Sequence, residues 1–169
     1  MNLEILRTLV ELKSGHPPES SDELSLSPIK DLIVHPDVNE YICYCLPRFS
    51  YQVCGIAVQS LRDIIGEMHP GAAPGGYIRP YGYLVIANSA GGNVLCLQSA
   101  TGKVFWTDHD SFLDDSISIQ NRSTGDWEFL DDYTPENVQR AMVLVSDDLE
   151  SFLVALLNEQ LEAELDQLG

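Results

Sequence analysis

Asp108-His109-Asp110 is the stretch whose side chains could titrate or bind a metal together. Carboxylates beside an imidazole can hold a divalent ion or raise the imidazole pKa. In an extended segment, side chains two positions apart share a face, so Asp108 and Asp110 would point together and His109 away. That is poor geometry for a three-ligand centre. The expectation is a strand-end turn whose aspartates cap backbone amides. His16, His35 and His69 each precede a proline and have no carboxylate pair at ligand spacing. Cys43 and Cys45 are two apart, which is neither a zinc-ribbon nor a redox spacing, and with Cys54 and Cys96 they read as small apolar residues. There is no P-loop, dinucleotide-binding glycine pattern, G-x-S-x-G elbow or H-E-x-x-H motif. The sequence therefore assigns no catalytic residue, no metal ligand and no cofactor.

The elements that must position these residues centre on 82–110. Tyr83-Leu84-Val85-Ile86-Ala87 is apolar without alternation, which predicts a strand covered on both faces. Gly91-Gly92 and Ser99-Ala100-Thr101-Gly102 supply two turns, and strands follow at 93–98 and 103–107, giving an antiparallel meander. Asn2 caps a predicted helix running to about Lys13, which Gly15, Pro17 and Pro18 stop. A polar loop is expected at about 14–30. Pro36 fits the first turn of a helix carrying Val38, Tyr41, Ile42 and Cys45, although the dense apolar run 41–46 also suits a strand.

Residues 52–58 read as one strand, and Ser60 as the cap of a short helix through Leu61, Ile64, Ile65 and Met68. A Gly/Pro-rich loop or flap spans about 69–82. Residues 111–132 interleave carboxylates with apolar residues, and irregular or short-strand structure is expected there, apolar members inward. Thr134 caps a helix predicted over about 135–145. A last helix starts near Ser146, follows Leu149, Phe152, Leu153, Leu156, Leu157, Leu161, Leu165 and Leu168, and frays after about Gln160.

The chain has 169 residues, long enough for one domain with a core that needs no disulfide or metal. Nine basic and 26 acidic side chains give a formal charge of −17. Nucleic acid and anionic membrane are repelled by such a surface, and a basic partner is attracted. The N-terminal stretch has no basic start, long apolar run or cleavage site, and no segment has the length to span a bilayer. A cytoplasmic protein with reduced thiols is expected.

Several of these stretches together resemble the SUKH superfamily of immunity proteins. The resemblance rests on Tyr83-Leu84-Val85-Ile86-Ala87, then Gly91-Gly92-Asn93-Val94-Leu95-Cys96-Leu97, Gly102-Lys103-Val104-Phe105-Trp106 and Asp108-His109-Asp110. Ser60-Leu61 ahead of the glycine-rich loop and the closing helix at Ser151-Phe152-Leu153 keep the family's order, so the likeness runs from about Gly55 to Leu157. It implies one α+β domain over 1–169, with a twisted, mostly antiparallel sheet packed against N- and C-terminal helices. It also implies binding rather than catalysis. Many members neutralise polymorphic toxins, often nucleases, by direct contact.

The expected partner is therefore a cognate basic protein of the toxin class, with no direct contact to nucleic acid or membrane. The expected contact residues are Asp114, Asp115, Asp126, Glu128, Asp131 and Asp132, joined by Tyr77, Arg79 and Tyr81 from the glycine-rich loop. Other readings are a regulatory or scaffold domain without a toxin partner and, further off, a metal protein or enzyme built on Asp108-His109-Asp110. An apolar patch near the glycine-rich loop would equally serve a homodimer.

Overall fold

The computed structural model describes residues 1–121 and 124–161, which leaves Leu165 and Leu168 of the expected last helix outside the described residues. Helix α1 (Leu3–Ser14) begins where Asn2 Oδ1 accepts from the Ile5 amide at 3.3 Å. It ends at Gly15, whose N–H still bonds the Glu11 carbonyl and whose left-handed φ of 73° then turns the chain out of the helix. The expected polar loop holds more structure than its composition suggests. It contains α2 (Glu23–Leu26), capped by Asp22, and a 3-10 turn (Ser27–Leu32). Leu26, Ile29 and Leu32 recur every third residue, the spacing that lines up one edge of a 3-10 helix, and all three are buried. Serines and Pro28 disguise that period in the sequence.

Residues 36–44 are helical (α3, Pro36–Tyr44), with Val38, Tyr41 and Ile42 buried, so spacing decides against the strand. Residues 52–58 depart from the single expected strand and form a hairpin of β1 (Tyr51–Val53) and β2 (Ile56–Val58). Cys54 and Gly55 take φ of 50° and 72°, the left-handed pair of a two-residue turn whose twist suits flanking strands. Gly55 is the only conventional turn residue there, so the reversal is easily overlooked.

Helix α4 (Leu61–Glu67) starts at Ser60, as expected. The Gly/Pro-rich segment that follows is ordered into α5 (Gly75–Ile78) and a 3-10 turn (Arg79–Tyr81). A Cβ on Gly75 would overlap the Glu67 carbonyl, so glycine is required for this segment to lie against the end of α4.

The meander forms as expected, with β3 (Tyr83–Ser89), β4 (Val94–Gln98) and β5 (Val104–Thr107). A two-stranded hairpin of β6 (Ile117–Gln120) and β7 (Trp127–Leu130) stands apart from it. Helix α6 (Pro135–Arg140) stops five residues before the expected end, since Val143-Leu144-Val145 is β-branched and pairs with β5 as β8 (Val143–Ser146). The last described helix, α7 (Leu149–Leu157), starts three residues after Ser146 and is capped by Asp148, which accepts from Ser151 N at 2.7 Å.

The main sheet runs β1-β2-β3-β4-β5-β8 with every neighbouring pair antiparallel, which makes the protein an α+β fold. Tyr83 through Ala87 are all at most 3% exposed, so both faces of β3 are covered. Truncating a core side chain such as Leu84 to alanine costs about 2–5 kcal/mol. Helix α1 lies against α3 and α7, while α4 and α5 pack on β3. Among the described residues, no helix is long and apolar enough to cross a membrane.

Candidate functional site

β5 delivers the chain into Asp108-His109-Asp110, but the segment is not extended. Residues His109–Ser111 form a 3-10 turn, with Asp108 Oδ1 accepting from the Asp110 amide at 2.9 Å. The expected capping is present. The expected divergence of side chains is not, because the turn rotates successive residues toward one another. His109 Nε2 lies 3.1 Å from Asp110 Oδ1, and its Nδ1 lies 3.6 Å from Asp108 Oδ1. One ligand atom from each residue fits within 4.8 Å of the others, close enough for a divalent ion to be shared.

The surroundings argue for a structural role of the ring. His109 Nδ1 is 3.3 Å from Asn93 Oδ1, and the imidazole covers the β3–β4 turn so closely that a Cβ on Gly92 would come within 3.0 Å of it. The three side chains are between 39% and 72% exposed, so water screens their charges.

The residues singled out in the glycine-rich loop have internal partners. The Arg79 guanidinium donates to the Pro28 carbonyl at 2.6 Å, to Asp31 Oδ1 at 2.7 Å and to the Met68 carbonyl at 3.3 Å. Arg79 thus ties the 3-10 turn before α3 to the end of α4. Tyr77 donates its hydroxyl to Asp114, and Tyr81 donates to the Tyr133 carbonyl at 2.6 Å. Tyr133 in turn donates to the Leu113 carbonyl at 2.6 Å and stacks with Tyr77 and Tyr81 at centroid distances of 5.7 and 6.5 Å. Burial, then the neighbouring phenols and the carboxylates of Asp114 and Asp115, push the Tyr133 phenol up to about 12. The ring cluster holds the glycine-rich segment against the start of the acidic one.

The six candidate carboxylates, Asp114, Asp115, Asp126, Glu128, Asp131 and Asp132, are all exposed. Asp114 takes the Tyr77 hydroxyl, and Glu128 takes Arg140 Nη2 at 2.6 Å, which fastens β7 to α6. Asp126 borders a groove of about 320 Å³ that is also lined by Ile119, Asn121, Trp127 and Glu128.

The expectation that apolar residues of this segment turn inward holds for Phe112 and Ile117, which are 2% and 0% exposed. It fails for Leu113, ahead of the hairpin and 41% exposed, and within the hairpin for Trp127 and Phe129, which are 42% and 64% exposed. The register explains the difference. Ile117 pairs with Leu130 and Ile119 with Glu128 on one face, while Ser118 pairs with Phe129 and Gln120 with Trp127 on the other. Two strands can turn only one face to the core, and Ile117 and Leu130 take it. The sequence signal was available: Trp127 and Phe129 are two apart, so one face of a strand had to carry both.

Compared with protein-family models, curated proteins and solved structures, the chain matches none.

Proposed function

We propose that this protein is a non-catalytic, immunity-type binding protein that neutralises a basic toxin by direct contact through its acidic surface. The observation that carries the reading is the outward pairing of Trp127 and Phe129 on the β6–β7 hairpin, with Asp126, Glu128, Asp131 and Asp132 beside them in the chain. Large aromatics on an exposed face supply contact area at small entropic cost, and surrounding carboxylates supply long-range attraction to a basic surface.

Charge supports the same reading. Lys13, Lys30, Arg79, Lys103 and Arg140, five of the nine basic side chains, each face a carboxylate, so few free cations interrupt a surface whose net charge is −17. A nuclease cleft built to hold phosphates is a surface that such carboxylates can occupy instead. The toxin as partner rests on the sequence resemblance, and the hairpin as the contact rests on its geometry. Direct binding to the product of the adjacent gene, measured at low and high salt, tests both. Affinity that falls with salt is expected, and no association at either salt overturns the reading.

A further inference from the structure

The six-stranded sheet ends at β8, and among the described residues no strand pairs with the outer side of that strand. The direction of its backbone groups follows from the register. Gln98 N–H donates to the Lys103 carbonyl, so the directly bonded pairs of β4 and β5 include Cys96 with Phe105. Phe105 therefore directs its backbone groups to β4, and Trp106 directs its own to β8, where Trp106 faces Val143 and Phe105 faces Leu144. The N–H and C=O of Leu144 consequently point away from the sheet. No turn, loop or side-chain hydrogen bond among the described residues reaches them.

The side chain of Leu144 is exposed as well. Open sheet edges are commonly protected by lysine, proline or an inward-pointing charge, and the run Ala141-Met142-Val143-Leu144-Val145-Ser146 has none of them. A bulge at Val145 is its one irregularity, since Phe105 pairs with Leu144 and Val104 with Ser146. At the opposite edge of the sheet, β1 has α1 beside it.

Symmetry and charge select what pairs with β8. A strand that meets a copy of itself antiparallel about Leu144 exchanges both backbone bonds between the two Leu144 residues. The two leucine side chains then lie next to each other on one face, and Val143 of each copy lies opposite Val145 of the other. Arg140 precedes the strand, Asp147 and Asp148 follow it, and Arg140 and Asp147 are exposed. Antiparallel self-pairing thus brings the basic end of each copy beside the acidic end of the other, whereas a parallel neighbour would set like charges together.

We infer that β8 is a dimerisation edge, two copies of the chain joining through Val143-Leu144-Val145 across a two-fold axis at Leu144. The bulge confines the regular ladder to the bonds about Leu144, and copies of charge −17 repel each other, so the dimer is weak and is favoured by salt. Toxin binding through the hairpin is expected to weaken with salt, which keeps the two contacts distinguishable.

Sedimentation equilibrium of the full chain at high salt, up to about 1 mM protein, tests the inference. A monomer–dimer equilibrium should appear. Leu144→Lys sets two ammonium groups side by side from an exposed position, and it should weaken the dimer about tenfold or more with the circular dichroism spectrum unchanged. Amide hydrogen exchange of the wild-type protein reads the same contact without a variant. Exchange at Leu144 should slow severalfold as the dimer accumulates with concentration, while the Val143 amide, turned toward Trp106, should not respond. A chain that stays monomeric throughout overturns the proposal. So does a dimer left as tight by folded Leu144→Lys, or a Leu144 amide that exchanges equally fast at low and high concentration.

Discussion

Tyr77 donates its hydroxyl to Asp114 across 37 residues of sequence, joining the glycine-rich segment to the acidic one. Tyr133 stacks beside Tyr77 and donates to the carbonyl of Leu113, the residue before Asp114. Two segments that look like separate loops in the sequence are thereby one surface.

If that junction is structural, Tyr133→Phe should cost about 1 kcal/mol through the lost hydrogen bond to Leu113. Tyr133→Ala should cost more, since it also removes the stacking with Tyr77 and Tyr81. Urea unfolding of the three proteins measures both steps. Equal stability of all three would show that the ring cluster contributes nothing to the fold.

Two glycines separated by nine positions should respond in opposite directions. Gly75→Ala drives a methyl group into the Glu67 carbonyl and should destabilise by about 1–3 kcal/mol or more. Gly66→Ala meets open space in a helix and should stabilise by about 0.5–1 kcal/mol. Denaturation midpoints decide. A stabilised Gly75→Ala would mean that α5 does not lie against the end of α4.

Acid should expose the cap of α7. The Ser151 side-chain and backbone hydrogen bonds hold the Asp148 carboxyl below its usual range. A depressed folded-state pKa means that this contribution is complete above the unfolded carboxylate value of about 4 and is lost as pH falls through the folded value. Asp148→Asn still caps but cannot ionise, so its stability should fall less than that of the wild type as pH drops below about 4. Asp148→Ala should cost about 1 kcal/mol at neutral pH. Parallel acid profiles for wild type and Asp148→Asn would remove the carboxylate from the account.

How much of this was legible in the sequence depended on whether the information was local. The meander was legible because its apolar runs and glycine turns specify strands and reversals within a few residues. The caps at Asn2, Ser60 and Thr134 were legible for the same reason. β8 was missed because Val143-Leu144-Val145 follows a good helix start, and only pairing with β5 ends the helix at Arg140. The β1–β2 turn was missed because Cys54 adopts a left-handed φ that cysteine rarely takes.

The candidate surface divides along the same line. Exposure of the six carboxylates follows from their chemistry and was expected. The internal ties of Tyr77, Arg79 and Tyr81 depend on Pro28, Asp31, Asp114 and Tyr133, which are far away in sequence. Outward placement of Trp127 and Phe129 depends on which face of the hairpin Ile117 claims. The convergence of Asp108, His109 and Asp110 depends on a 3-10 turn in place of an extended segment.

The central claim is that the aromatic, acidic hairpin face binds a basic protein. Its most direct test is calorimetric titration of the adjacent gene product with wild type and with the double variant Trp127→Ser/Phe129→Ser, each at low and high salt. The account predicts wild-type binding that weakens with salt, and a loss of about 2 kcal/mol or more, roughly thirtyfold, in the double variant with its fold intact. A correctly folded double variant that binds as tightly as the wild type would contradict it.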